Sequence, residues 1–200
     1  MKKILIIILT ALFTLSGQAQ TAKQVLDKTA AVIGRKGGAQ ANFKMTSGQY
    51  GSASGTIHIK GNKFHARTNN GVIVWFNGKT QWSYMKSTQE VNISTPTQAQ
   101  QMSMNPYTFI NIYKTGYTAT IKGSGNNYVV RLVAQNKQRT VQEMYITINK
   151  KTYVPSQVKM RQDNSWMTIN ISGFQAKNQS NSTFVFNSKD FPQAEIIDLR

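Results

Sequence analysis

The chain reads as a mainly β protein, in which short antiparallel strands follow one amphipathic helix and curl into a barrel or a sandwich. Three observations predict this. Apolar and polar residues alternate in many short segments punctuated by Gly, Asn and Ser, and only one stretch near the start repeats its apolar residues at helical spacing. Residues 72–93, VIVWFNGKTQWSYMKSTQEVNI, give the clearest hairpin, with two runs rich in β-branched and aromatic residues flanking Asn77-Gly78.

The first residues read as an address rather than as part of the fold. Lys2 and Lys3 precede an apolar run from Ile4 to Leu15, and Gly17-Gln18-Ala19 places small residues where a signal peptidase cleaves. Residues 1–19 are therefore expected to be a cleaved secretory signal and residues 20–200 one domain. A membrane anchor is the competing reading, but about twelve residues at ~1.5 Å each reach only roughly 18 Å across a hydrocarbon core of about 30 Å. The chain has no cysteine, so neither a disulfide nor a lipidated cysteine is available to it.

Thr21 is expected to cap a helix, with Gln24 completing a capping box, and Ala22, Val25, Leu26, Ala30 and Ile33 form its apolar stripe until Gly34 and Gly37-Gly38 end it. Ala41, Phe43 and Met45 then alternate with Asn42, Lys44 and Thr46, after which Ser47, Gly48, Gly51 and Gly55 read as a loop. Strands at 56–60 and 63–69 form a hairpin about Gly61-Asn62. That turn pairs Lys60 with Lys63 and sets His58 opposite His65 on a polar side, with Ile57, Ile59, Phe64 and Ala66 on the apolar side. In the next hairpin a two-residue turn at Asn77-Gly78 pairs Phe76 with Lys79, Trp75 with Thr80 and Ile73 with Trp82, and Tyr84 follows on the same face. Val72, Val74 and Phe76 occupy the other face. A strand apolar on both faces needs two apolar neighbours, and one of them could be a ligand.

Between 94 and 116 the alternation stops. Pro96 and Pro106 stand where helices begin, behind Thr95 and Asn105 as caps, so two short helices are expected. The second, PYTFINIYKTG, is apolar nearly all round through Tyr107, Phe109, Ile110, Ile112 and Tyr113, and needs cover on most sides. Further strands are expected at 90–93, 117–122, 128–134, 141–148, 153–161 and 165–175.

The chain carries 24 Lys and Arg against 7 Asp and Glu, a formal charge of +17. The bases are scattered singly, their longest clusters being Arg35-Lys36 and Lys150-Lys151, which suits a solvated basic surface and not a nucleic-acid groove. Attraction to anionic membranes or acidic partners is a second consequence of the same charge. Catalytic constellations are missing. Asp27, Glu90, Glu143, Asp163, Asp190, Glu195 and Asp198 show no local pairing, there is no nucleophile elbow, and neither glycine cluster extends to a phosphate loop. His58 and His65 stand close enough to share a metal, but a site wants three or four ligands and no acid lies near them in sequence, so a solvated cross-strand pair is expected. The chain is expected to be neither an enzyme nor dependent on a cofactor.

Taken in order, these parts resemble the periplasmic outer-membrane lipoprotein carrier family, LolA. The resemblance rests on the N-terminal helix, the strand ANFKM, the hairpins GTIHIKGNKFHAR and NGKTQWSY with EVNI after them, the segment NPYTFINIY, and ITINKKTYVPSQVKM followed by DNSWMTINISGF. The closing FVFNSKDFPQAEIIDLR is similar to the tail of one branch of that family. The resemblance implies an incomplete antiparallel barrel whose concave side is covered by short helices. It implies a periplasmic monomer that shields the acyl chains of lipoproteins freed by an inner-membrane releasing complex and passes them to an outer-membrane acceptor. Phe43, Val72, Val74, Trp75, Trp82, Tyr84 and Ile93 are then the candidates for an apolar cavity, and Val25, Leu26, Tyr107, Phe109 and Ile110 for its lid, although an ordinary closed core has the same alternation. Three chains of about 16 carbons would expose hydrocarbon worth on the order of 35 kcal/mol in water, so such a cargo cannot cross unassisted. The alternative is an envelope sensor or scaffold that uses the same half-barrel to bind a partner. One departure touches the lid: the family often has an arginine after the lysine of the second strand, holding the lid by hydrogen bonds, whereas here Lys60 is followed by Gly61 and would act with an ammonium lacking the guanidinium fork.

The exported protein should begin at Gln20. Intact-mass measurement of that form tests the assignment, and a mass retaining residues 1–19 overturns it.

Overall fold

The computed structural model describes residues 20–48, 51–97, 100–101, 105, 107–108, 112–162 and 164–200. Helix α1 (Ala22–Ile33) is followed by β1 (Ala39–Ser47), β2 (Gly51–Lys60), β3 (Lys63–Thr68), β4 (Val72–Phe76), β5 (Gln81–Met85) and β6 (Glu90–Ser94). A second run comprises β7 (Tyr117–Ser124), β8 (Asn127–Ala134), β9 (Val141–Asn149), β10 (Pro155–Gln162) and β11 (Ser165–Ala176). Two 3-10 turns, Asn181–Phe184 and Ser188–Asp190, then lead to β12 (Glu195–Asp198).

All the strands belong to one twelve-stranded sheet in the order β12-β6-β5-β4-β3-β2-β1-β11-β10-β9-β8-β7. It consists of two antiparallel meanders joined where β1 pairs with β11, with β12 added in parallel beside β6. The ends of that order do not meet, so the sheet is curved and open, the incomplete barrel expected from the sequence.

Period-two alternation gives the sheet one apolar face. Ala41 opposes Ile57, Ile57 opposes Ala66, and Ile59 opposes Phe64; across the seam Val158 lies between Ile169 and Ile146, and Ile146 opposes Val130. Helix α1 lies on this inner face. Its capping box forms as read, Gln24 N–H donating to Thr21 Oγ1 at 3.2 Å and Thr21 N–H to Gln24 Oε1 at 2.9 Å. Val25, Leu26 and Ile33 are completely buried in the common core, each contributing about 1.5–3 kcal/mol by leaving water.

Three local expectations differ from the structure. Gly51 and Gly55 are not loop residues: β2 begins at Gly51, making β1–β2 a long hairpin. Gly55 is there for closeness, since a Cβ at that position would stand 2.0 Å from the Arg67 carbonyl oxygen of β3. The turn at Asn77-Gly78 spans four residues instead of two, so Phe76 pairs with Gln81, Trp75 with Trp82 and Ile73 with Tyr84. Asn77 causes the difference, because its Oδ1 accepts from the N–H groups of Lys79 at 3.0 Å and Thr80 at 2.9 Å and holds both residues in the loop. The first helical turn after β6 is capped by Thr97, not Thr95: Gln100 N–H donates to Thr97 Oγ1 and Thr97 N–H to Gln100 Oε1. In β11, Gly173, at φ +59°, supplies an extra residue, and the β1–β11 register slips between Gln40 and Asn42.

Most of the second helix predicted after β6 lies outside the described residues, including Pro106, Phe109 and Ile110. Asn105 does cap a turn there, its Oδ1 accepting from Tyr107 N–H at 2.9 Å, and Tyr107, Ile112 and Tyr113 are buried in the core.

Replacing Gly55 with Ala should force β2 and β3 apart at Arg67 and destabilise the fold by about 1–3 kcal/mol. Urea unfolding measures this, and an unchanged midpoint would contradict the close approach.

Candidate functional site

The apolar inner face extends from β7 to β4 and then stops. Beyond Val74 and Phe76 the register brings Ser83, Gln81 and Asn92 onto the same face, so β5 and β6 end it with polar groups. Around the buried core lies a border of half-buried apolar side chains, including Phe43, Met45, Val72, Ile121, Tyr128 and Phe174. Tyr107 packs edge-on to Phe174, with ring centres 6.5 Å apart. Its hydroxyl and that of Thr29 on α1 are buried without a hydrogen-bond partner among the described residues, and burial pushes the Tyr107 phenol above its ordinary range. An unmade bond of this kind costs about 1–3 kcal/mol and leaves a donor in apolar surroundings.

The two covering segments are tied to each other. Tyr113 donates from its hydroxyl to Asp27 on α1, and the same carboxylate accepts from Lys23 at 2.8 Å. The Lys23 hydrogen bond, followed by that of Tyr113, holds the Asp27 carboxyl below its usual value.

The outer face of β2–β6 is covered differently. Trp75, Trp82, Tyr84, Ile73, Val91 and Ile93 share it, and the chain after β11 returns across it. Phe191 stands 4.7 Å from the Tyr84 ring and 5.5 Å from Trp75, Phe186 is 5.4 Å from Trp75, and Phe184 is completely buried. Gln179 fixes the start of this clasp. His58 Nδ1 bonds to its Oε1 at 3.2 Å, Lys60 Nζ donates to its carbonyl at 2.8 Å, and its own N–H donates to Gly37 O at 2.8 Å. Lys60 thus serves the tail, where the sequence suggested a helical lid.

His58 and His65 do face each other, their rings 5.8 Å apart. They are not a solvated pair. His65 stacks on Trp75 at 5.3 Å and donates from Nδ1 to Val74 O at 3.1 Å. Burial in that stack lowers its pKa from 6.5 to about 4, outweighing the Val74 bond. Among the described residues no third His, Cys, Asp or Glu joins the two rings.

The structure therefore divides the residues singled out in the sequence. Phe43, Val72 and Val74 are on the inner face with Val25, Leu26 and Tyr107 over it. Trp75, Trp82, Tyr84 and Ile93 are on the outer face, Trp75 and Tyr84 in ring contact with the clasp. Phe109 and Ile110 lie outside the described residues. The clasp itself was not foreseen; the spacing of Phe184, Phe186 and Phe191 in an otherwise polar tail was the available signal.

A family model described as outer membrane lipoprotein carrier protein LolA matches residues 12–164. No curated protein matches the chain. Among solved structures, an uncharacterized conserved protein from Thermus thermophilus shares the fold with a TM-score of 0.59 at 12% identity, over 88% of this chain and 98% of that one. A LolA superfamily protein from Nitrosomonas europaea aligns with a TM-score of 0.46 at 11% identity, over 84% of this chain and 99% of the other. The Pseudomonas aeruginosa MucA/MucB complex contains a chain that aligns at 0.48 and 10% identity, over 82% of this chain and 61% of that one.

Because His65 is neutral in the fold and an unfolded imidazole titrates near 6.5, stability should be complete above about pH 6.5 and fall as pH drops toward 4. Thermal unfolding at about pH 7 and about pH 4.5, compared with His65→Leu, checks this. The parent should lose more melting temperature over that interval than the variant; equal losses would contradict the buried-imidazole assignment.

Proposed function

The chain belongs to the outer-membrane lipoprotein carrier family LolA, and from that membership we propose that it is an exported, periplasmic carrier that shields lipoprotein acyl chains on the inner face of its open sheet. Residues 1–19 would direct export, and residues 20–200 would form the carrier, receiving cargo from an inner-membrane releasing complex and giving it up to an outer-membrane acceptor. The observation that supports this most is a continuous apolar face, from β7 to β4, covered by helix α1 and by Tyr107, Ile112 and Tyr113 of the β6–β7 connection instead of by a second sheet. A sheet closed on itself would have nothing to lift; this cover is separate from the strands.

In this reading acyl chains enter at the half-buried border, against Phe43, Met45, Val72, Ile121 and Phe174, and reach the buried Val74 behind it. Helix α1, through Val25 and Leu26, and the segment carrying Tyr107, Phe109 and Ile110 act as the lid. Hydrocarbon offers no directional bond, so a diverse cargo is held by area alone at about 25 cal/mol per Å². The unbonded hydroxyls of Tyr107 and Thr29 are suited to donate to the ester carbonyls at the head of the chains. The Tyr113–Asp27 hydrogen bond keeps the two covering segments together in the empty protein. Trp75, Trp82, Tyr84 and Ile93 then belong to the clasp and not to the cavity.

An apolar fluorescent probe should bind the folded protein saturably and be displaced by fatty acid. Tyr113→Phe should tighten probe binding about two- to tenfold, since one hydrogen bond worth roughly 0.5–1.5 kcal/mol no longer opposes opening, while Phe43→Ser should weaken it. Incubation with inner-membrane vesicles bearing a labelled lipoprotein, a competent donor complex and an energy source should yield a soluble complex that transfers its cargo to outer-membrane vesicles. No saturable probe binding and no soluble lipoprotein would overturn the carrier reading. A stoichiometric protein complex without acylated species would favour a sensor or scaffold instead.

A further inference from the structure

On strands β7–β11 and β1 the outer face is a surface of its own. The register places Lys44, Lys122, Arg131, Lys159 and Arg161 on it, with Glu143 the one acid among the described residues of these strands. Glu143 is already engaged, accepting from Arg131 Nε at 2.7 Å and from the Tyr145 hydroxyl at 2.8 Å and lying 3.7 Å from Arg161 Nη2. The face therefore keeps a positive excess that no other described residue of these strands neutralises.

Two half-buried rings lie among these bases. Tyr145 and Trp166 are 6.0 Å apart, the Lys159 ammonium is 4.6 Å from the Trp166 ring centre, and the Arg131 guanidinium is 5.9 Å from that of Tyr145. A depression of about 460 Å³ opens beside Arg131, lined by Thr120, Lys122, Ser124 and Tyr145. Six strands at about 4.8 Å spacing make the face roughly 24 Å across, a broad surface and not a groove.

We propose that this face docks on an anionic phospholipid bilayer, with Lys122 and Arg131 taking a lipid phosphate in the depression and Tyr145 and Trp166 resting at headgroup depth. Bases gather anionic lipid by attraction that dies away within about a Debye length, ~8–10 Å, so they must lie together on one face, as these do. Trp and Tyr favour the headgroup layer because each has an apolar body and a polar tip. Nucleic acid fits the surface less well: base stacking needs open ring faces, and here cations already lie over both rings. Docking by the outer face leaves α1 and the lid segment, on the opposite face, free to move. The inference does not depend on acyl chains entering the inner face.

The test is co-sedimentation of the folded protein with vesicles of phosphatidylcholine alone or with about one-third phosphatidylglycerol. Lys44 and Lys122 are exposed and make no hydrogen bond or ion pair among the described residues, so Lys44→Glu with Lys122→Glu should leave folding intact. The parent should bind the anionic vesicles, release them at high salt, and ignore the neutral ones. The double variant should lose at least about tenfold in partitioning, whereas Lys36→Glu with Lys189→Glu, the same charge change elsewhere, should stay within about twofold of the parent. Unchanged probe binding by both variants would separate this surface from the inner face. No binding to anionic vesicles, equal binding to neutral ones, or equal losses in the two double variants would overturn the proposal. Tighter binding to a single-stranded oligonucleotide than to vesicles would also overturn it, in favour of nucleic acid.

Discussion

A twelve-stranded sheet that does not close leaves its apolar face to be covered by something other than strands, and the arrangement of the remaining chain follows from that requirement. Helix α1 and the segment between β6 and β7 supply Val25, Leu26, Ile33, Tyr107, Ile112 and Tyr113 to the same core as β7–β11 and β1–β4. A cover made of separate segments needs its own attachments. The capping box at Thr21 fixes the helix start, Lys28 donates to the Tyr153 hydroxyl at 3.2 Å, and Tyr113 reaches back to Asp27. Each is a polar contact of modest strength.

Strand β4 imposes the second demand. Both of its faces are apolar, with Val74 and Phe76 inward and Ile73 and Trp75 outward, and all four are buried. The inward pair is met by the core. The outward pair is met by residues more than a hundred positions later, in a tail whose aromatic residues fall on Trp75 and Tyr84 and whose β12 adds a strand beside β6. This placement also pairs the edge of β6, which would otherwise offer its backbone groups to another chain. The neutral, stacked His65 is a by-product of that burial.

The two sides of the sheet consequently differ in kind. Inside, apolar side chains dominate, with few polar groups and two unbonded hydroxyls among the described residues. Outside, beyond the clasp, charge and hydrogen-bonding side chains dominate, and Glu143 orders Arg131, Arg161 and Tyr145 around itself. One sheet thus presents an apolar face and a charged face back to back.

Much of this was legible in the residues. The capping box, the α1 stripe, the His58–His65 pairing and the antiparallel order of strands follow from local spacing, because helix caps, two-residue turns and period-two alternation are decided by neighbours in sequence. The fold class was legible for the same reason. What local spacing could not decide was which partner each surface meets. Gly55 looked like a turn residue because its close approach to Arg67 exists only once β2 and β3 are side by side. The Asn77 loop kept Trp75 and Trp82 on one face but moved their register by two, since a side-chain amide outcompeted the tighter turn. Alternation requires an apolar neighbour for the aromatic face of β4 and β5, and that neighbour is the chain's own tail. Alternation specifies that a face must be buried; only the tertiary path of residues 177–198 specified by what.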